Sequence, residues 1–407
     1  MRPPAAERAA AHPVSFGLAA IALALMPAYV IRPRVGPLPT TVLEIALLAT
    51  IAAFLVESAL ARSFSVPRTG FEPAMGLFLL AGVFAIFASP DRYHAAGLFR
   101  AYLLEPVLFF LLLTSVISSR RRVVAILGGL AAGGLVVAVL NLAAFSHAAL
   151  SHQSDLAVYP PVAIYTSAND TALFLVPLLA VGAAVALFAD ARRLQFGAAL
   201  FSAAALLAIL LSFSRGGYLA LIALLIGLTV AHRRRLRLLL GGAIAIAIAL
   251  LVPPVRTRIA HELTLGPHNS IPGRLGLWEA TLRMLRDHPI FGAGLSGFAQ
   301  VMAPYHPPAQ PACCPLIYPH TILLNFWAVL GLLGLAGFAW LTVLGFRQAL
   351  SGARRGTGLL RAVPLGVCLA LVAIVVHGLV DVPFFKNDLS LQYFALLGLQ
   401  WTARRLH

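Results

Sequence analysis

Along most of the chain, apolar residues run for roughly 20 positions before a short polar break, which is the length a helix needs to cross a bilayer core about 30 Å thick. Such runs can be marked at residues 14–31, 38–60, 73–89, 101–117, 123–146, 168–189, 194–212, 217–231, 238–252, 320–345, 362–381 and 388–402. The pattern predicts an all-α, polytopic membrane protein with about 12 transmembrane helices, forming a single membrane domain over residues 1–407. Only one interruption, 253–319 between the ninth and tenth runs, has room for a folded, water-exposed element. Inside it, Ser270 and Pro272 suit a helix start, and Arg274 to Asp287 has an amphipathic period that His288-Pro289 ends. At roughly 100° per residue, Leu275, Trp278, Leu282 and Leu285 share one face, and Glu279, Arg283, Arg286 and Asp287 the other. Arg274 projects to the apolar side, near Trp278, Thr281 and Leu285. The glycines of Phe291 to Phe298 then permit a tight return to the membrane and are weak grounds for phosphate binding.

Composition agrees with the pattern. The chain is 60% apolar and 11% charged, against about 25% charged residues in soluble domains. A net charge of +16 suggests nucleic acid in a soluble protein. Here 19 of the 30 basic residues fall in alternate short segments, the arrangement of cytoplasmic arginines beside anionic lipid. This predicts cytoplasmic termini, an outward-facing 253–319 loop, membrane lipid as a partner and no nucleic acid. Cys368 lies in a run and reads as core, whereas Cys313 and Cys314 are adjacent in the outer loop, where a strained vicinal disulfide stays open.

Chemistry gathers at the outer ends of the runs. Glu44, Glu57 and Glu105 are carboxylates within apolar runs, so each needs a partner or a function. Thr166 to Asp170 suits a helix start, with Asn169 either a cap or a substrate contact. Arg215, in Phe213-Ser214-Arg215-Gly216-Gly217, must sit at the interface or in a polar cavity, and its glycines allow a close approach. His320 follows Pro319 at the start of a run, and a helix N-terminus disfavours added positive charge, which suits a base but equally an interfacial anchor. His377 and Asp381 are four apart, on one face of a helix, and pair with each other or support a neighbouring polar group.

Taken together, Phe213 to Gly217 at a run end, Arg274-Leu275-Gly276-Leu277-Trp278 followed by Asp287 to Gly294 in a long outer loop, and Pro319-His320 entering the next run resemble the O-antigen ligase family. The resemblance covers roughly residues 160–390; Thr321 departs from the Asn that often follows the histidine. It implies a GT-C-like fold in the bacterial inner membrane, with the active site facing the periplasm. It also implies an inverting, metal-independent glycosyltransferase with no cofactor, whose donor is an undecaprenyl-pyrophosphate-linked glycan and whose acceptor is lipid A core or a growing glycan. Carried over by residue, His320 is the catalytic base and Arg215 and Arg274 hold the pyrophosphate, with Asn169, Trp278, His377 and Asp381 in supporting positions. A polymerase of the same superfamily is the alternative. A polysaccharide transporter is less expected, because the distinctive charges gather at the outer rim rather than the midplane and no internal repeat is visible.

Overall fold

A computed structural model of the protein describes residues 12–35, 38–153, 156, 159–232, 235–251, 256, 271–306 and 316–407. Each apolar run forms a helix. The early ones are α1 (Pro13–Ala24), α2 (Val42–Leu60), α3 (Glu72–Ala88), α4 (Arg92–Val116), α5 (Arg120–Leu150), α6 (Ala168–Phe188) and α7 (Arg192–Leu211). Then come α8 (Arg215–Ala231), α9 (Arg235–Leu251), the loop helix α10 (Ile271–Asp287), a short α11 (Phe298–Met302), α12 (Ile322–Arg355), α13 (Gly358–Gly378) and α14 (Asn387–Arg405). Among the described residues, seven helices are long and apolar enough to cross a membrane: α2, α4, α5, α6, α7, α12 and α13. The shorter α1, α3 and α8 are also apolar. The fold is an all-α polytopic membrane architecture, and its one pairing of extended chain among the described residues is the antiparallel contact of Arg34–Val35 with Leu38–Pro39.

Helices α6, α13 and α14 form the centre. Most of α6 and α13 is buried, and α14 is buried from Asp388 to Ala403. That explains why α14 carries Gln392 and Gln400 where lipid-facing helices carry leucine. Gln392 donates to the Phe174 carbonyl, a partner that only another helix can supply. The outer helices turn Leu55, Val139, Phe196 and Ile226 outward, as a lipid-facing surface requires.

The helix ends separate into two sets. At one end Glu57 accepts from the Val14 and Ser15 N–H groups, Arg120 pairs with Asp190, and Gln348 donates to the Thr69 carbonyl. At the other lie the ends of α2, α4, α6, α8, α12, α13 and α14 nearest the 271–306 segment. Here the remaining carboxylates of the apolar runs find partners. Glu44 closes a capping box with Thr41 and lies 3.2 Å from Arg100, which also stands 3.3 Å from Glu105. Asn387 adds a hydrogen bond to Glu44 at 3.1 Å. Residues 100–104 form a π-helical turn that brings Arg100 to both carboxylates. All three carboxylates therefore have structural partners.

In the loop region the helix start agrees with the sequence reading, since α10 is described from Ile271, between Ser270 and Pro272 in sequence, but the packed face differs. Its packed face is Leu277, Ala280, Thr281, Met284 and Leu285, while Leu275 and Leu282 are 55% and 42% exposed. The difference has a physical cause: α10 packs sideways against α12 and the glycine segment, which contribute Ala293, Phe298, Met302 and Ala328. Helix α12 is broken at Gly331, whose φ of 70° belongs to the left-handed region. The Ile290 carbonyl enters that break and accepts from Leu332 N–H, while Ala293 N–H donates to the Ala328 carbonyl. The glycine segment is thus a strap locking α10 onto α12, and Gly292 and Gly294, both at positive φ, face backbone atoms of α12 and of Ser89. Cys368 is buried in α13, as expected, while Cys313 and Cys314 lie outside the described residues.

Candidate functional site

The segment between α13 and α14, residues 379–386, is where the candidate side chains meet. Helix α13 ends at Gly378, so Asp381 is not on its face with His377. Its N–H still bonds back to the His377 carbonyl, but its carboxylate turns elsewhere. Oδ2 accepts from Asn169 Nδ2 at 3.0 Å, and Oδ1 accepts from Val382 N–H at 2.9 Å and lies 3.7 Å from His320 Nδ1. Of the two expectations for His377 and Asp381, pairing with each other or supporting a neighbouring polar group, the carboxylate takes the second: the turn after Gly378 swings it to His320 and Asn169.

Local sequence puts each partner there. Ser167 caps α6 by accepting from Asn169 N–H, which leaves the Asn169 side chain free to reach Asp381. Its neighbour Asp170 is paired with Lys386 Nζ at 2.5 Å. Two charged or polar pairs therefore clamp the 379–386 segment to the start of α6.

Arg215 is the first residue of α8, after a chain reversal in which Phe213 has a φ of 52° and Ser214 caps the helix by accepting from Gly217 N–H. The next residue, Gly216, packs against the ring of His377 and the side chain of Val380. Arg274 approaches the same Val380 from the other side, donating from Nη1 to its carbonyl at 2.7 Å. One turn along α10, Trp278 Nε1 donates to the Pro319 carbonyl at 2.9 Å. Helix α10 is thus pinned at Val380, next to Asp381, and at Pro319, next to His320. Both arginines predicted from the sequence come to one short stretch of chain, although 59 positions separate them in sequence (274 − 215).

His320 has a φ of 52°, a left-handed conformation that costs a non-glycine residue roughly 1–2 kcal/mol. Its side chain is 35% exposed, and its ring lies tilted against that of Tyr318, with centroids 4.3 Å apart. Such backbone is retained where surrounding contacts over-determine it, here the Trp278 bond to Pro319 and the packing of Tyr318. Burial first, and then the carboxylates of Asp381 and Asp170, push the Tyr318 phenol well above its ordinary value, with Arg274 opposing. Its hydroxyl therefore stays protonated as a donor.

Burial pushes the Asp381 carboxyl up, but the His320 and His377 imidazoles and the Val382 N–H outweigh it and hold the group below its ordinary value. Asp381 is an anion facing His320. His377 is 2% exposed, and its Nε2 makes no hydrogen bond among the described residues, lying instead against Gly216.

The arrangement sets the Arg274 guanidinium, the His320 imidazole and the Asp381 carboxylate along one rim, with the turn that carries Arg215 packed against His377 and Val380. Such a rim can bind an anionic group at a guanidinium and take a proton at the imidazole nitrogen that faces away from Asp381. Among the described residues, no group of three His, Cys, Asp or Glu side chains is placed to hold a metal ion. Sequence reasoning did not single out Tyr318, the Val380 carbonyl, the Gly216 contact or the Asp170–Lys386 pair as parts of this rim. Only the run Asp381-Val382-Pro383 could have signalled them, as a polar turn between two apolar runs. Arg258, His261, Glu262 and His268, ionisable groups of the same loop, lie outside the described residues.

Residues 199–339 match the family model described as O-Antigen ligase, a span that contains Arg215, Arg274, Trp278 and His320. No curated protein matches the chain. Asn169, His377 and Asp381 lie outside that span and join the site only through the fold. With motif order, hydropathy and family match in agreement, residues 199–339 of this membrane protein carry the sequence pattern of the O-antigen ligase family.

Proposed function

We propose that the protein is an inverting glycosyltransferase that moves a glycan from undecaprenyl pyrophosphate to an acceptor hydroxyl, with lipid A core as the acceptor. The observation that carries this reading is the placement of Asp381 between Asn169 and His320, with Arg274 bonded to the adjacent Val380. Arg215 and Arg274 bind the pyrophosphate. His320, with Nδ1 turned to Asp381, accepts the acceptor's proton at Nε2. The acceptor oxygen attacks the anomeric carbon from the face opposite the pyrophosphate, the carbon–oxygen bond to phosphate breaks, and its electron pair leaves with the pyrophosphate. Two guanidinium forks can match a diphosphate bidentately and stabilise the charge that develops on it. They do there what a divalent cation does in other transferases. A positioned histidine base contributes about 10² to 10⁴ in rate.

The arginine-rich helix ends, with Arg120, Arg192, Arg354 and Arg405, are assigned to the cytoplasmic side, which puts the candidate site at the periplasmic face. A polymerase of the same superfamily has the same donor chemistry and differs in its acceptor. Deleting the gene in its host and resolving the surface polysaccharide separates them. Loss of a ligase leaves long glycan on undecaprenyl pyrophosphate and none on lipid A core. Core carrying a single repeat unit would instead assign a polymerase, and loss of an exopolysaccharide alone would reject the acceptor proposed.

A further inference from the structure

Away from the candidate site, at the opposite end of the bundle, α5, α6 and α7 leave a groove of about 290 Å³ between them. It runs along α5 from Val124 to Leu135, which at a helical rise of about 1.5 Å per residue is about 16 Å. That is close to one leaflet's share of a hydrocarbon core about 30 Å thick. The walls are apolar, and the one charged residue lining the groove is Arg193, in the first turn of α7 at the end where Arg120 pairs with Asp190. Helix α7 starts after Ala191, which supplies no side-chain cap for the N–H groups of that turn.

The glycines show that the groove is built open rather than loosely packed. A Cβ on Gly134 or Gly182 would collide with Phe201, so those two let the phenyl ring close the groove's deep side. A Cβ on Gly128 or Gly197, which line the groove, would meet nothing within 4 Å. A helix from another chain, about 10 Å across, is too thick for this space, whereas a single alkyl chain is not. An arginine beside a helix N-terminus is in turn a phosphate site, since both direct N–H donors and positive charge at the same point.

We propose that the groove is a binding site for an anionic glycerophospholipid of the leaflet at the arginine-rich end, with one acyl chain lying from Arg193 to Leu135 and the phosphate on Arg193 and the first turn of α7. The lipid fills an apolar gap between three packed helices at this end and ties α5 to α7. This assignment is independent of the transferase reading, because the groove lies at the far end from Arg215, Arg274 and His320.

The test uses the full chain purified in mild detergent and incubated with dioleoyl phosphatidylglycerol or dioleoyl phosphatidylcholine, with bound lipid counted by native mass spectrometry. The wild type is expected to retain one phosphatidylglycerol in preference to phosphatidylcholine. Gly128→Leu and Gly197→Leu fill the groove without a clash and are expected to lose both lipids while unfolding at an unchanged or higher temperature. Arg193→Glu leaves the groove open and is expected to weaken retention of phosphatidylglycerol by about tenfold, the loss of one charge-assisted hydrogen bond. Phosphatidylglycerol retained equally by both leucine variants would overturn the proposal, as would a wild type without headgroup preference. Oxidative cross-linking of a Gly128→Cys variant to a second copy would assign the groove to an oligomer interface and overturn it as well.

Discussion

A Cβ atom on Gly216 would stand 2.4 Å from Cδ2 and 2.6 Å from Nε2 of His377, so the turn that carries Arg215 lies directly on a buried imidazole. Neither side has slack, since His377 is 2% exposed and Val380 closes the same gap at 3.0 Å. On an exposed helix, replacing glycine by alanine stabilises by roughly 0.5–1 kcal/mol. Here the first turn of α8 must shift instead, and misplacing a substrate-positioning group by about 1 Å costs on the order of 10² in rate. Gly216→Ala is therefore expected to lose about that much transfer activity at matched membrane expression. Gly216→Ala combined with His377→Ala should recover activity relative to Gly216→Ala alone, because the second change vacates the space. A double variant no better than Gly216→Ala would show that the contact does not place Arg215.

How far the sequence reveals this site follows from where its information lies. Helices were legible because spanning segments are set by length and apolarity, both local. Arg215, Arg274 and His320 were legible because they interrupt apolar runs or sit at their edges with proline and glycine beside them. Asp381 was identified as a residue, but the sequence leaves open which polar group it serves. Helical spacing offers His377 or an unnamed neighbour, and only the chain leaving the helix at Gly378 shows that the carboxylate goes to His320 and Asn169. The packed face of α10 was misassigned for a similar reason. A loop helix packs on whatever adjoins it, and the strap that inserts the Ile290 carbonyl into the Gly331 break is a non-local fit with no local signature.

Asp381 gives a pH test with a definite sign. Its carboxyl is held below its ordinary value in the folded protein despite burial. Such a group contributes stability that is fully present above its unfolded pKa, about 3.9, and lost as pH falls through the lower folded value. The difference in thermal unfolding temperature between wild type and Asp381→Asn is expected to persist from about pH 8 to pH 5 and to shrink only below about pH 4. Shrinkage already complete at pH 5 would mean that Asp381 is not held as an anion.

Orientation is tested at Arg283, which is 44% exposed on α10 and tied only to Glu279 at 2.9 Å. Arg283→Cys, in a background lacking Cys313, Cys314 and Cys368, should react with a membrane-impermeant thiol reagent when only the outer membrane is permeabilised. Labelling that appears only after the inner membrane is lysed would reverse the assignment of the two helix ends and move the candidate site to the cytoplasm.

The three arginines of α10 separate a positioned group from surface charge within one helix. Arg283 and Arg286 lie on the exposed side, and the Arg283–Glu279 pair, four residues apart, is worth only about 0.3–0.5 kcal/mol. Arg274 turns the other way and reaches the Val380 carbonyl, so it sits beside Asp381. If its guanidinium also stabilises the departing pyrophosphate, Arg274→Ala removes an interaction that strengthens in the transition state, a loss of about 10² to 10³ in turnover. Arg283→Ala and Arg286→Ala should stay near wild type, within the effect of about 0.5 kcal/mol usual for surface substitutions. Arg274→Lys is the sharper probe, because lysine keeps the charge but cannot span the Val380 carbonyl and a phosphate oxygen with one planar fork. It should recover only part of the activity. The readout is transfer from lipid-linked donor at matched expression, with thermal unfolding measured beside it, so that loss of the Val380 hydrogen bond is distinguished from loss of chemistry. Four variants of equal activity would remove Arg274 from the site and leave α10 as a basic helix lying on the membrane surface.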